Sequence, residues 1–262
     1  MSDFALEASN LTRRFGPFIA VDSVSFAVPK GQLYGFLGLN AAGKTTTIRM
    51  LTTLLPPSAG AARLLGHDVV QEPLAVRRLV GLVSDETSES QSEWTAREYL
   101  GYFARIREVS NVESVVERSL DSVGLDRRFR SKLIGTYSTG MKRRVEIARA
   151  LMGNPKVLFL DEPTRGLDLP AKREMWKLLR NLAARDDVTT FLSSHDAQEI
   201  RLLCTQISVI SRGKLVFTGP TGDLGGDLDT FEDRLIELLT REDQSAPPMA
   251  SGHRGNGSER DL

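Results

Sequence analysis

The chain has 262 residues, of which 40% are hydrophobic and 26% are charged, as is usual for a globular domain. Its 34 basic and 34 acidic residues balance, which argues against a nucleic-acid partner recognised through overall basicity. The single cysteine, Cys204, excludes a disulfide framework and any metal site built from several cysteines. The start of the chain is acidic, and no apolar run approaches the length of a membrane span. We therefore expect a cytoplasmic protein that reaches a membrane only through a partner.

Short apolar runs alternate with helical patterns, which predicts an α/β fold. Val157–Leu160 is apolar at every position, as in a strand covered by helices on both faces. Residues Ser211–Lys214 predict a hairpin turn between the last two strands. The predicted strands are Ala5–Leu11, Ala20–Val28, Gln32–Leu37, Ala61–Leu65, Val80–Ser84, Val157–Leu160, Thr189–Leu192, Ile207–Ile210 and Leu215–Phe217.

Helical patterns fill most of the remaining chain. Thr46–Leu55, Thr95–Arg107 and a stretch opened by Pro170 each predict a helix, and residues 112–123 place valine and leucine on one helical face. Residues 86–154 contain no strong strand pattern, which predicts a helical insertion. Near the end, Thr230–Asp233 resembles a capping box, which predicts a short helix within 221–240. The Ser-, Pro- and Gly-rich residues 241–262 predict a disordered tail.

One loop has the pattern G-x-x-x-x-G-K-[ST]. It runs from Gly38 to Thr45, after an apolar strand and before a helical pattern, which is the context that the motif requires. In such a loop the backbone N–H groups surround phosphate oxygens at a helix N-terminus. Lys44 would reach the β- and γ-phosphates, and the Thr45 hydroxyl would bind Mg²⁺. The residues predicted to bind the phosphates are Gly38, Leu39, Asn40, Ala41, Ala42, Gly43, Lys44, Thr45 and Thr46.

Two adjacent carboxylates, Asp161 and Glu162, follow the apolar strand Val157–Leu160. Ligands of open parallel sheets lie beyond the carboxyl ends of the strands, where the phosphate loop also emerges. Asp161 is therefore predicted to hold Mg²⁺, directly or through water. Glu162 is predicted to activate a water molecule as general base.

Together with a third motif, these residues identify a family. Tyr137–Met141 (YSTGM) is similar to the signature sequence of the ATP-binding subunit of ABC transporters, which the chain resembles over about residues 4–220. The resemblance implies a P-loop NTPase core with an antiparallel β subdomain and an inserted helical subdomain, binding ATP and Mg²⁺. Residues 1–220 would form this ATPase domain. At the signature, Ser138 would cap a helix whose first-turn N–H groups, at Gly140 and Met141, can meet a phosphate. Ser138, Thr139 and Gly140 are the signature residues expected to bind the nucleotide.

Further matches occur in the family's order. Gly166–Asp168 resembles the D-loop, and His195, after the strand Thr189–Leu192, resembles the switch histidine that contacts the γ-phosphate. Phe15 resembles the aromatic residue that stacks on adenine. These assignments give Glu162, His195 and Lys44 as the catalytic set.

The sequence departs from the family pattern at several positions. Leu39 and Ala41 stand where proline and glycine are usual, and a positive φ at Ala41 would cost about 1 kcal/mol. Thr139 replaces the first signature glycine. Asp85 stands where the Q-loop glutamine is usual, so that a carboxylate would take its place at the metal. Gln91 could replace that glutamine only if the loop is threaded differently.

The resemblance also implies partners. Two copies, or this chain and a paralogous ATPase, would meet head to tail, with each ATP between Lys44 of one subunit and Ser138 of the other. A separate transmembrane permease would hold the dimer at the cytoplasmic face of the cell membrane. Four segments resemble drug-resistance and sodium-extrusion exporters of the type-2 ABC class: Gly66–Val70, Ala75–Arg78, Trp94–Leu100 and Phe231–Leu235. Two alternatives are a soluble ABC ATPase without a transporter and a weakly hydrolysing nucleotide-dependent regulator.

Overall fold

The computed structural model describes residues 3–84, 91–184 and 188–241. The strands are β1 Phe4–Phe15, β2 Phe18–Pro29, β3 Leu33–Leu37, β4 Ala59–Leu64, β5 His67–Asp68, β6 Val80–Val83, β7 Val157–Asp161, β8 Thr189–Ser194, β9 Gln206–Ser211 and β10 Lys214–Pro220. The α-helices are α1 Lys44–Leu51, α2 Pro73–Leu79, α3 Ala96–Ile106, α4 Val112–Ser122, α5 Thr139–Leu151, α6 Leu169–Ala183, α7 Ala197–Leu203 and α8 Leu228–Arg241.

The strands form two sheets. An antiparallel sheet has the order β2-β1-β4-β5, and a six-stranded sheet has the order β10-β9-β3-β8-β7-β6. In the larger sheet β9, β3, β8, β7 and β6 are parallel, and only β10 pairs antiparallel, with β9. The carboxyl ends of β3, β7 and β8 therefore meet at one edge, where ligands of such sheets bind.

Side chains from both faces of the parallel sheet are buried, as the all-apolar run Val157–Leu160 predicts. Leu158 and Leu160 join a core formed with α3 to α7, whereas Phe159 joins a second core on the side of α1 and the antiparallel sheet. In that second core, the Phe159 and Phe191 ring centroids lie 5.3 Å apart. The alternation follows from the two-residue period of a strand, and the two cores fix the sheet between its covering layers.

Three helices, α3, α4 and α5, form a layer beside the edge strand β6. α3 begins with a capping box, in which the Thr95 hydroxyl and the Glu98 carboxylate bind each other's backbone N–H groups. α5 is joined to β6 by two arginines: Arg143 Nη1 donates to the carbonyl of Ser84 at 2.8 Å, and Arg149 Nη2 to that of Leu82 at 3.0 Å.

The predicted fold class is confirmed, and the predicted strands all occur with shifted ends. Sequence patterns missed β5, α2 and α7, which are only two to seven residues long and too short for a clear period. The helix predicted over Thr46–Leu55 spans Lys44–Leu51 instead. It ends because Thr53 adopts a φ of 64° and the N–H groups of Leu54 and Leu55 both bind the Arg49 carbonyl.

The predicted capping box at Thr230 is wrong. α8 begins at Leu228, and the Asp227 carboxylate accepts the Thr230 N–H at 2.9 Å. Asp227 is therefore the cap, and Thr230 lies inside the first turn. The tail 242–262 lies outside the described residues. Within the described ranges, the helices are too short or too polar to cross a lipid bilayer.

Candidate active site

The phosphate loop connects β3 to α1, as its motif requires. Gly43 has a φ of 110°, and a Cβ there would lie 2.6 Å from the carbonyl oxygen of Ala20. Only glycine satisfies both conditions. Ala41 has a φ of 62°, so the positive φ considered for this position is present, with its cost of about 1 kcal/mol.

Neighbouring strands hold this loop in place. The Gly38 N–H donates to the carbonyl of Ser194, at the end of β8, at 3.2 Å. The Gly213 N–H, in the β9–β10 hairpin, donates to the carbonyl of Ala42 at 2.9 Å. The loop is thus fixed at both ends by backbone hydrogen bonds that do not depend on a ligand.

Lys44 is buried at the bottom of the site, with 5% of its surface exposed. Its Nζ donates to the carbonyls of Gly38 and Leu39 at 2.7 and 3.0 Å, and lies 3.0 Å from Oε1 of Glu162. A buried ammonium group requires such partners, because an unpaired charge in the interior is costly. The two residues predicted from separate motifs are therefore in direct contact.

The carboxylates Asp161 and Glu162 lie at the end of β7. Ser193 Oγ donates to Asp161 Oδ1 at 2.5 Å, and the Glu162 N–H binds the Ser193 carbonyl at 3.1 Å. Glu162 has a φ of 52°, a conformation that costs energy and occurs often at functional sites. His195 Nδ1 lies 2.5 Å from Glu162 Oε2, and the imidazole is partly exposed. The structure thus brings Lys44, Glu162 and His195 together.

A cavity of about 420 Å³ opens in front of these groups. Asn40, Ala41, Ala42, Gly43, Lys44, Thr45 and Thr46 line it together with Glu162. Phe18, Ala20 and Arg165 also line it, although none of the three was predicted from a motif. Arg165 lies three residues after the acidic motif, and Phe18 lies three residues after Phe15. In each case closeness in sequence to a predicted site residue was the signal that could have found it.

Phe15 and Phe18 face each other across the β1–β2 hairpin. Phe18 is 62% exposed and lies on the cavity. The guanidinium carbon of Arg13 lies 4.6 Å from the centroid of the Phe15 ring, which is also exposed. Both rings are thus accessible near the phosphate loop, and stacking of Phe15 on adenine stays a prediction.

The signature residues lie at the N-terminus of α5. Ser138 is the N-cap, and its hydroxyl accepts the Met141 N–H at 3.3 Å. Ser138 and Thr139 are exposed to solvent. A Cβ at Gly140 would lie 3.6 Å from Cβ of Ala171, so this turn packs against the start of α6. The described lining of the phosphate cavity contains none of the three signature positions, Ser138, Thr139 and Gly140.

The donors predicted for Mg²⁺ are of the right kind. Thr45 offers a hydroxyl and Asp161 a carboxylate, and Mg²⁺ prefers such oxygen ligands while keeping water and phosphate oxygens as the others. In the described ranges no cluster of three or more histidine, cysteine or acidic side chains could bind a metal by itself. Asp85, the third predicted ligand, lies outside the described residues, and Gln91 is buried.

A phosphate loop and an acidic strand end on one edge of a parallel sheet define a P-loop nucleoside triphosphatase. The model of the ABC transporter family matches residues 21–165, slightly more than half of the chain, and the chain belongs to this family. It is therefore an ATP-binding and ATP-hydrolysing protein of the ABC class, and the predicted resemblance is confirmed.

Several curated proteins are similar over most of this chain. The daunorubicin/doxorubicin resistance ATP-binding protein DrrA of Streptomyces peucetius is 38% identical over 88% of this chain and 70% of its own length. ABC transporter A family member 1 of Dictyostelium discoideum is 40% identical over 88% of this chain, which spans 26% of that protein.

The fold is also that of solved ABC cassettes. The ADP conformation of MJ1267, an ATP-binding cassette of an ABC transporter, superposes with a TM-score of 0.77 at 25% identity. The alignment covers 90% of this chain and 98% of that chain.

Proposed function

We propose that this chain is the ATP-hydrolysing subunit of an ABC exporter, which acts on a separate transmembrane permease. The observation that carries the catalytic part is the contact of Glu162 with both Lys44 and His195, at 3.0 and 2.5 Å. It brings together a cation for phosphate, a carboxylate base and a histidine, and the first two line the phosphate cavity.

Each of these residues would have a separate role in ATP binding or hydrolysis. The N–H groups of the phosphate loop and Lys44 bind the β- and γ-phosphates of ATP. Glu162 accepts a proton from the attacking water, and His195 holds the Glu162 carboxylate on one side while reaching the γ-phosphate on the other. Thr45 and Asp161 would hold Mg²⁺, which neutralises phosphate charge when bound. Phe15 would stack on adenine.

The exposed signature turn supports a head-to-tail dimer. Ser138, Thr139 and Gly140 would bind the γ-phosphate held by the phosphate loop of a second copy, or of a paralogous ATPase. ATP would then stabilise the closed dimer, because it makes both sets of contacts only there. Hydrolysis removes that link and allows the dimer to open.

The transport part of the proposal rests on the relatives. The Streptomyces relative is named as a daunorubicin/doxorubicin resistance ATP-binding protein. We infer that the exported compound is a drug or antibiotic, and that the chain lies at the cytoplasmic face of the membrane through the permease.

The catalytic part is tested by phosphate release from ATP. Lys44→Ala should lose nucleotide binding and turnover together, while Lys177→Ala, which changes an exposed lysine of α6, should behave as the wild type. A wild-type chain that releases no phosphate, alone or with its permease, contradicts the proposal.

The transport part is tested by fractionation of cells that express the chain with and without the permease gene. The chain should sediment with membranes only when the permease is present. A distribution that ignores the permease would favour an ABC ATPase that works without a transporter.

A further inference from the structure

Glu199 is a buried carboxylic acid that the proposed mechanism does not use. It lies in α7, four residues after His195, and none of its surface is exposed. Burial of a carboxylate among apolar groups is costly unless hydrogen-bond donors surround it. Its position behind the catalytic residues therefore requires an explanation beyond packing.

Three donors from three different segments converge on this carboxylate. Trp176 Nε1, in α6, donates to Oε1 at 2.9 Å, and Ser194 Oγ, at the end of β8, donates to Oε2 at 2.6 Å. The side chain of Thr164, in the loop after β7, is a third hydrogen-bond partner. Trp176, Ser194 and Thr164 are themselves buried, so these hydrogen bonds are shielded from water.

Two of these segments, those of Ser194 and Thr164, lead directly to the catalytic groups. Ser194 precedes His195, and its carbonyl accepts the N–H of Gly38, the first residue of the phosphate loop. Thr164 lies two residues after Glu162. The Glu199 side chain thus ties the segment that carries the histidine to the segment that carries the general base.

We propose that Glu199 is a positioning residue for ATP hydrolysis, which keeps His195 and Glu162 in contact by holding Ser194 and Thr164. This inference rests on the proposed function and deepens it. Glu199 acts behind these residues and touches neither the nucleotide nor the attacking water. Loss of its hydrogen bonds should therefore affect the chemical step and spare nucleotide binding.

The test is the Glu199→Gln variant of the 262-residue chain, assayed for phosphate release. Gln keeps the shape but offers an NH₂ group where the carboxylate accepts a hydrogen bond. We expect kcat to fall about tenfold or more, as for other groups that orient reacting side chains, with KM for ATP changed by less than about twofold. A kcat equal to that of the wild type overturns the inference.

Glu146→Gln is the matched control. Glu146 is also buried, but it lies in α5 and binds Tyr99 Oη and Arg149 Nε, both at 2.9 Å. This change should lower the thermal midpoint and leave kcat and KM near the wild-type values. An equal loss of kcat in both variants would mean that Glu199 has only a structural role.

A double-variant cycle tests the route through the histidine. In a His195→Ala background, Glu199→Gln should cost less kcat than it does alone, because the contact that it positions is already lost. Fully additive losses would overturn the inference. If Glu199→Gln does not fold, Trp176→Phe removes one donor and should lower kcat without raising KM; no change in kcat there also overturns it. A wild-type chain without turnover would instead refute the proposed function.

Discussion

The phosphate cavity and the N-terminus of α5 are both predicted to bind the same phosphate, yet they are built in opposite ways. In the cavity, Lys44 and Glu162 are almost fully buried and bind each other, and backbone hydrogen bonds fix the loop. At α5, Ser138 and Thr139 are exposed, and the serine hydroxyl accepts the N–H of Met141 in its own helix turn. One half of the site is formed within the chain, and the other half presents its groups to solvent.

The two halves of the site differ in where their polar groups find hydrogen-bond and charge partners. A buried lysine and a buried glutamate must pair their charges inside the protomer, because water does not reach either side chain. The free N–H groups of an exposed helix N-terminus donate hydrogen bonds to water until an anion binds in its place. Variants in the first half should therefore damage chemistry, and variants in the second half should damage association.

The largest effect is expected from Glu162→Gln. Removal of the general base should lower ATP turnover by at least about 100-fold, while ATP binding persists because the phosphate loop is intact. Phosphate release and binding of a fluorescent ATP analogue measure the two properties. Glu174→Gln, on the exposed face of α6, is the control. Unchanged turnover in Glu162→Gln would remove this residue from the role of base.

Ser138→Arg should act on the other half. A bulky cation at the exposed turn blocks a head-to-tail approach, so the ATP-dependent dimer should be lost in a Glu162→Gln background while the protomer still binds ATP. Light scattering coupled to size-exclusion chromatography measures this.

Two controls separate the causes in that experiment. Ser138→Ala removes the helix cap alone, at about 1 kcal/mol. Ser110→Arg adds the same charge at another exposed position, between α3 and α4. A dimer that survives Ser138→Arg contradicts the assignment of this turn to the interface.

A smaller effect, on stability, is expected from Gly43→Ala. The new Cβ would meet the Ala20 carbonyl at 2.6 Å with φ at 110°, so the free energy of unfolding should fall by about 1–3 kcal/mol. Gly66→Ala is matched, since its φ is 88° and nothing lies within 4 Å of the new Cβ. It should cost about 1 kcal/mol from strain alone. Equal losses in urea unfolding would show that the loop is not fixed against β2.

The smallest effect is a dependence on pH. Burial raises the pKa of Glu199 above its ordinary value. The unfolded chain therefore releases this proton at a lower pH than the folded chain, and folded stability falls as the pH rises above the ordinary glutamate pKa. Glu199→Gln removes this titrating group. The free energy of unfolding of the variant, relative to the wild type, should therefore increase as the pH rises above the ordinary glutamate pKa. A constant difference would contradict the raised pKa.

Much of the site followed from the sequence because its motifs are contiguous. Gly38–Thr45 directly follows the strand β3 and leads into α1, and Asp161 and Glu162 end an apolar run. Contacts between distant segments were not available in this way: nothing in the sequence joins Glu199 to Trp176, or places Phe18 and Arg165 on one cavity. The wrong cap at Thr230 has a different origin, since Asp227 and Thr230 both fit a local capping pattern and the pattern alone does not choose between them.

The arginine bonds between α5 and β6 have a mechanical consequence. Arg143 and Arg149 donate hydrogen bonds to the carbonyls of Ser84 and Leu82. Both arginines belong to α5, the helix that Ser138 caps. If α5 rotates as a rigid body, either these two hydrogen bonds break or the backbone at Ser84 moves with the helix. A movement of the first turn of α5 would thereby be transmitted to the carboxyl end of β6.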